Sequence, residues 1–221
     1  MTPELGHIDA VVFDLDGTLI DSAADIAHAL NEALAWGGLR GFDLATVRGW
    51  IGNGPNALIA SALKARGADS TDLALCERLH QRFIEASHAA PFDHGTVYPG
   101  VIEALRRLHG QLPLAVVTNK EGRYTRAVLA AHRLGPLFDA VVCGDTFPTK
   151  KPDPAGVLHC LAQFGVSCER ALFVGDSSID VATARNAGVA VWVLPYGYNM
   201  GQPIEASAPD RVISDCSALL A

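Results

Sequence analysis

No stretch of this chain approaches the roughly 18 consecutive apolar residues that a membrane-spanning helix needs. Positive charge is also in short supply. The 17 Lys and Arg stand against 24 Asp and Glu, a formal net charge of −7. That balance argues against the basic footprint of a nucleic-acid surface. The five cysteines, at 76, 143, 160, 168 and 216, form no C-x-x-C pair. An odd count without paired spacing argues against a disulfide framework or a structural zinc site, and fits reduced thiols in a cytosol. The eight His show no H-E-x-x-H spacing, which disfavours a zinc hydrolase of that type. Repeats, low-complexity tracts and charge blocks are missing. The first seven residues, Met1 to His7, carry no basic segment followed by an apolar one, so no secretory signal is expected. The expectation is a cytoplasmic protein without membrane or nucleic-acid partners, with monomer and homodimer both open.

What is present is a chain of 221 residues, 49% of them hydrophobic, long enough to bury a core without staples. Short apolar runs rich in β-branched residues recur at 8–15, 112–118, 140–143, 171–174, 189–194 and 211–213. Their continuity predicts strands buried on both faces, as in a parallel sheet. Helical patterns lie between the later runs, at 101–109, 121–133, 154–164 and 179–187. The alternation predicts an α/β fold with a doubly wound, Rossmann-like parallel sheet. The interval between the first two runs breaks this rhythm. It spans nearly a hundred residues, where one crossover needs only a dozen or so. Helix-period patterns fill it at 25–36, 43–50, 56–65 and 73–87. The spacing predicts an inserted α-helical cap domain over residues 21–94, with the catalytic core formed by 1–20 and 95–221. Hinges are expected near Thr18–Ser22 and His94–Pro99. The alternative is that these helices simply pack on one sheet face, against which the connection-length prior speaks.

Chemistry-bearing residues cluster where strands are expected to end. The first strand runs into Asp14-Leu15-Asp16-Gly17-Thr18. Gly17 permits a sharp turn, so both acids can sit at the strand's C-terminal end, where open α/β sheets bind ligands. Two close carboxylates need a compensating cation or proton, and a hard divalent metal suits oxygen ligands. Turn chemistry is the competing explanation for an Asp at such a place. The second core strand ends in Thr118-Asn119-Lys120, a hydroxyl and an amide able to donate to phosphate, or equally a helix N-cap. Lys150-Lys151-Pro152-Asp153-Pro154 is stiffened by its prolines and could aim one Lys at phosphate, though a solvated Lys pair reads the same. Asp176 closes a further strand, and Asp180 falls in the first turn of the next helix, where acids are favoured in any case. With these strands parallel, Asp14, Asp16, Thr118 and Asp176 share one sheet edge and Lys151 adjoins it. That set makes a phosphate-handling centre.

At these residues the chain resembles the haloacid dehalogenase-like hydrolase superfamily. The four motifs occur in order: DLDGT at 14–18, VVTN at 116–119, the Lys of KP at 151–152, and GDSSID at 175–180. The resemblance implies a phosphomonoester hydrolase that uses Mg²⁺ and an aspartyl-phosphate intermediate. It implies Asp14 as nucleophile and Asp16 as general acid and base. It places the phosphate among Gly17, Thr118, Asn119 and Lys151, with Thr118 and Lys151 counted as catalytic. The metal would be held by the Asp14 carboxylate, the Asp16 main-chain carbonyl and Asp176, with Asp180 acting indirectly. The strings at 50–54 and 196–201 resemble those of bacterial members that act on 2-phosphoglycolate, which is the expected substrate; Arg48 and Asn53 of the cap are candidate donors to its carboxylate. A sugar phosphate or a nucleotide is the alternative small phosphorylated substrate. A phospho-receiver module without turnover is the rival from another class, against which the cap and the second acid, Asp16, both speak.

Overall fold

Four apolar residues in succession, Ala10–Phe13, have no solvent-facing side in a computed structural model of the chain, which describes residues 7–89 and 95–220. Such a run belongs in a sheet covered on both faces. The elements in chain order are β1 (Ala10–Phe13), β2 (Ile20–Asp21), α1 (Ala23–Trp36), α2 (Leu44–Arg48), α3 (Gly54–Ala65), α4 (Leu73–Ala89), β3 (Thr96–Val97) and α5 (Val101–Leu108). There follow β4 (Leu114–Val117), α6 (Gly122–Ala131), β5 (Ala140–Val142), α7 (Ala155–Phe164), β6 (Ala171–Gly175), α8 (Ser178–Ala187), β7 (Ala190–Val193) and β8 (Arg211–Val212). Six of the strands form one sheet in the order β5-β4-β1-β6-β7-β8, and every pairing in it is parallel. The expected doubly wound core is therefore present. Val12, Ala115, Val117, Phe173, Val191 and Val193 pack on one face, against Val157 and Leu161 of α7 and Val181 and Ala184 of α8. Alternate residues such as Val11, Phe13, Val116 and Val174 turn to the other face and are equally buried, as a period of two requires.

The strand order decides where a ligand can bind. From β1 the chain steps outward to β4 and β5, then returns to the opposite side of β1 as β6. The reversal opens a switch point beside β1, at the C-terminal ends of the strands. Register lines these ends up. Phe13 pairs with both Val116 and Val174, and Val117 pairs with Val142. Residues immediately after each strand thus emerge side by side.

The chain divides into two compact units, Met1–Asp21 with Thr96–Ala221, and Ser22–Gly95. Among the described residues, the elements of the second are the helices α1 to α4, and it carries its own core of Leu30, Leu34, Leu58, Ile59, Leu63 and Leu79. Its helix α2 is shorter than the pattern at 43–50 suggests, and starts where the Asp43 carboxylate accepts from Thr46 N–H at 2.7 Å. α3 begins two residues before the expected 56, with Pro55 in its first turn, a position where a missing N–H loses nothing. The two-residue antiparallel pair β2–β3, with Ile20 opposite Val97 and Asp21 opposite Thr96, was not expected, because two residues carry no readable period. The expected hinge start at His94, the end of the expected cap at 90–94 and residues 1–6 lie outside the described residues. Among the described residues, no helix is long and apolar enough to cross a membrane.

Candidate active site

Asp14 is the first residue past β1, and its N–H donates to Val174 O at 2.9 Å, which fixes it against the end of β6. The chain then folds back at once. Leu15 O accepts from Leu19 and Ile20 N–H at 2.9 and 3.1 Å, and Gly17 N–H donates to Ile20 O at 2.8 Å. Gly17 sits at φ +89°, where a side chain is strained, and any Cβ there would overlap the Asp176 carboxylate. The turn therefore places Thr18 so that its hydroxyl donates to Asp176 Oδ1 at 2.7 Å.

Asp176 follows β6 and is buried. Its second oxygen accepts from Tyr198 N–H at 2.6 Å. A Cβ on Gly197 would collide with the same carboxylate, so that glycine lets the loop after β7 approach closely. Asp180 lies at the third position of α8 and has two duties. Oδ2 accepts from Asp176 N–H at 3.1 Å, Ser177 N–H at 3.0 Å and Ser177 Oγ at 2.7 Å, while Ser177 caps the helix in return. Oδ1 accepts from Lys151 Nζ at 2.7 Å. The helix-start explanation and the functional one for this acid thus use different oxygens.

Lys151 Nζ also lies 2.8 Å from Asp14 Oδ1. Its main chain is gripped by Asn119: Lys151 N–H donates to Asn119 Oδ1 at 2.9 Å, and Asn119 Nδ2 donates to Lys151 O at 3.2 Å. The amide expected to face phosphate thus meets the loop that carries Lys151. Thr118 is buried just past β4. Its Oγ1 accepts from Lys120 N–H at 3.2 Å. Lys120, quoted from the sequence only as part of a string, puts Nζ 3.1 and 3.0 Å from the two oxygens of Asp16. Arg48 ends α2 and Asn53 immediately precedes α3, so both belong to the second unit, Ser22–Gly95.

One oxygen each from Asp14, Asp176 and Asp180 lies within 4.8 Å of the others, and all three residues are buried. Burial pushes the Asp14 carboxyl up to about 7, against the pull of Lys151 and with a further push from Asp180. Burial, then repulsion from Asp180 and Asp14, raises Asp176 well above the usual carboxylate range. Burial works against the charge of Lys151, but Asp14 and Asp180 outweigh it and hold the ammonium above its ordinary range. Three clustered carboxylates, with one ammonium paired to Asp14 and Asp180, leave excess negative charge in a dry place. A hard divalent cation on oxygen ligands relieves that excess, so the donor set fits a metal. Tyr198, Ser177 and Thr18 support the acids and were not singled out individually from the sequence. Thr18 lies inside the first motif, Ser177 inside the fourth and Tyr198 inside the string at 196–201; the last two act through a helix cap and a main-chain N–H, roles that leave little mark in sequence.

The sequence profile of the haloacid dehalogenase-like hydrolases matches residues 11–194. A phosphoglycolate phosphatase of Pseudomonas putida is 44% identical over 213 residues, which span 95% of this chain and 78% of that protein. A phosphoglycolate phosphatase of Pseudomonas fluorescens is 41% identical over the same shares. The crystal structure of a predicted phosphoglycolate phosphatase from Haemophilus somnus superposes with a TM-score of 0.91 at 34% identity, covering 97% of both chains.

Proposed function

Because this chain belongs to the haloacid dehalogenase-like hydrolase family and is a phosphatase of that family, we propose that it hydrolyses 2-phosphoglycolate to glycolate and phosphate through a phosphoenzyme on Asp14. The observation that carries the chemistry is the buried cluster of Asp14, Asp176 and Asp180, with Lys151 paired to Asp14 and Asp180. Support for the substrate comes from the named activity of relatives that are over 40% identical to it across 213 aligned residues.

The reading assigns each group a task. An Asp14 oxygen attacks phosphorus in line with the ester oxygen. The ester P–O bond breaks as Asp16 gives its proton to the departing glycolate oxygen. Thr118 and Lys151 hold the phosphoryl oxygens as charge builds on them. Asp16, now ionised, takes a proton from water. The water oxygen attacks phosphorus, the P–O bond to Asp14 breaks, and phosphate leaves with Asp14 free and Asp16 protonated. Mg²⁺, held by Asp14, Asp176 and the Asp16 carbonyl, would offset the repulsion between a carboxylate and a phosphate dianion. Asp180 keeps Lys151 charged and in place. Arg48 and Asn53 are the proposed donors to the substrate carboxylate, so Arg48→Ala raises KM for 2-phosphoglycolate more than it lowers kcat. The five free cysteines fit a reducing cytoplasm as the place of reaction.

The test compares kcat/KM for 2-phosphoglycolate, glucose 6-phosphate and a nucleoside monophosphate at one Mg²⁺ concentration. The expected result is a preference of about tenfold or more for 2-phosphoglycolate, or some 1.4 kcal/mol. An equal preference for either rival replaces the substrate and leaves the mechanism in place.

A further inference from the structure

We infer that Lys120 is a positioning residue for Asp16: its ammonium holds the carboxylate that serves as acid and base in the reaction. The inference rests on the reading of Asp16 given above. Nζ is 3.1 Å from Oδ1 and 3.0 Å from Oδ2, so the carboxylate cannot rotate without losing a contact. The two side chains are only 14% and 16% exposed, unlike the solvated surface pairs that contribute little. Lys120 is itself anchored through its main chain. Its N–H donates to Thr118 Oγ1 at 3.2 Å, and its carbonyl accepts from Gly144 N–H at 2.8 Å. With that lone pair of Thr118 engaged, the hydroxyl hydrogen is left for another acceptor. The site thus divides its ammonium groups. Lys151 faces Asp14 and Asp180, on the side of the nucleophile. Lys120 faces Asp16, on the side of proton transfer.

A substitution that keeps the main-chain bonds reads the ammonium alone. Lys120→Met and Lys120→Arg are compared in the full chain with p-nitrophenyl phosphate and Mg²⁺. Nitrophenolate leaves without a proton, so phosphoenzyme formation is spared, while its hydrolysis still needs Asp16. For Lys120→Met we expect kcat lower by about tenfold or more with KM within about twofold. The fraction of enzyme trapped as acid-stable or hydroxylamine-labile phosphoenzyme rises above that of the unaltered protein. Lys120→Arg restores most of kcat. Adding Lys120→Met to Asp16→Asn brings no further loss, since residues acting as a unit are not additive. Lys120→Gln carries the same expectations as Lys120→Met and replaces it should the methionine variant not fold. An unchanged kcat, a raised KM with kcat intact, a loss without phosphoenzyme accumulation, or a further loss in the double variant overturns the inference. Full turnover by Asp16→Asn overturns the reading of Asp16 itself, which separates the two failures.

Discussion

On the proposed reading, Asp14 is a nucleophile in a place that resists its charge. Burial and Asp180 push its carboxyl up to about 7, against the pull of Lys151 and of a hydrogen bond from the Leu15 main chain. Its ionised form is therefore kept at the expense of fold stability, an arrangement met at many catalytic groups. Asp14→Asn removes one of three clustered carboxylates while Lys151 retains Asp180. The expected outcome is a higher melting temperature in chelator at pH 7.5 and, with Mg²⁺ present, at least about a thousandfold loss of kcat. Calorimetry and a phosphate-release assay measure the two sides of that exchange. Gly17 and Gly197 show a different constraint, of space. A methyl at either position enters the volume of the Asp176 carboxylate. Gly197→Ala should leave the sheet intact in circular dichroism but raise the Mg²⁺ concentration needed for half-maximal activity.

Helix α8 joins architecture to chemistry. Its first turn is closed by the reciprocal bonds of Ser177 and Asp180, and the same Asp180 reaches Lys151 with its other oxygen. The two roles separate by substitution. Ser177→Ala loses the cap and should lower the unfolding free energy by about 1 kcal/mol, seen as a shift of the urea midpoint. Asp180→Asn keeps a side-chain oxygen for the cap but withdraws the charge beside Lys151. It should preserve most helix content while lowering kcat by about tenfold or more. The loop after β7 is tied down similarly: Tyr196 Oη donates to Thr18 O at 3.0 Å and Tyr198 Oη donates to Asp21 Oδ1 at 2.6 Å. These bonds hold the Tyr198 N–H where Asp176 needs it.

At the scale of the whole molecule, the buried acids make the metal-free fold sensitive to pH. The ordinary carboxyl value is 3.8, and in the folded protein Asp14 stands near 7 with Asp176 also raised. Between these values the folded chain binds more protons than the unfolded chain, so unfolding releases protons and stability falls as pH rises. The contribution of these groups is fully present below about 3.8 and is gone once pH passes the folded values. In chelator, the melting temperature should therefore drop from pH 5 to pH 7.5. Mg²⁺ should raise it most at the upper end, where the carboxylates are ionised and free to bind. A melting temperature that climbs across this window without metal would contradict the electrostatics described here.

Much of this protein was legible along the chain. Apolar runs without alternation announced strands covered on both faces, and a hundred-residue interval of helical period announced the helices α1 to α4, because burial patterns are local and repeat with the geometry of the backbone. The acids at 14, 16 and 176 and Thr118 stood out because they close such runs, Asp180 because it falls in the first turn of the next helix, and Lys151 because prolines stiffen the segment beside it. Tertiary structure alone decided which of them meet. Phe13 must lie opposite both Val116 and Val174 before Asp14 and Asp176 become neighbours, and that register depends on packing across the whole sheet. The contacts of Lys120 with Asp16, of Asn119 with Lys151 and of Tyr198 with Asp176 join residues 104, 32 and 22 positions apart. No period or composition records such pairs, because a hydrogen bond needs only that two groups arrive within about 3 Å, by whatever route the chain takes.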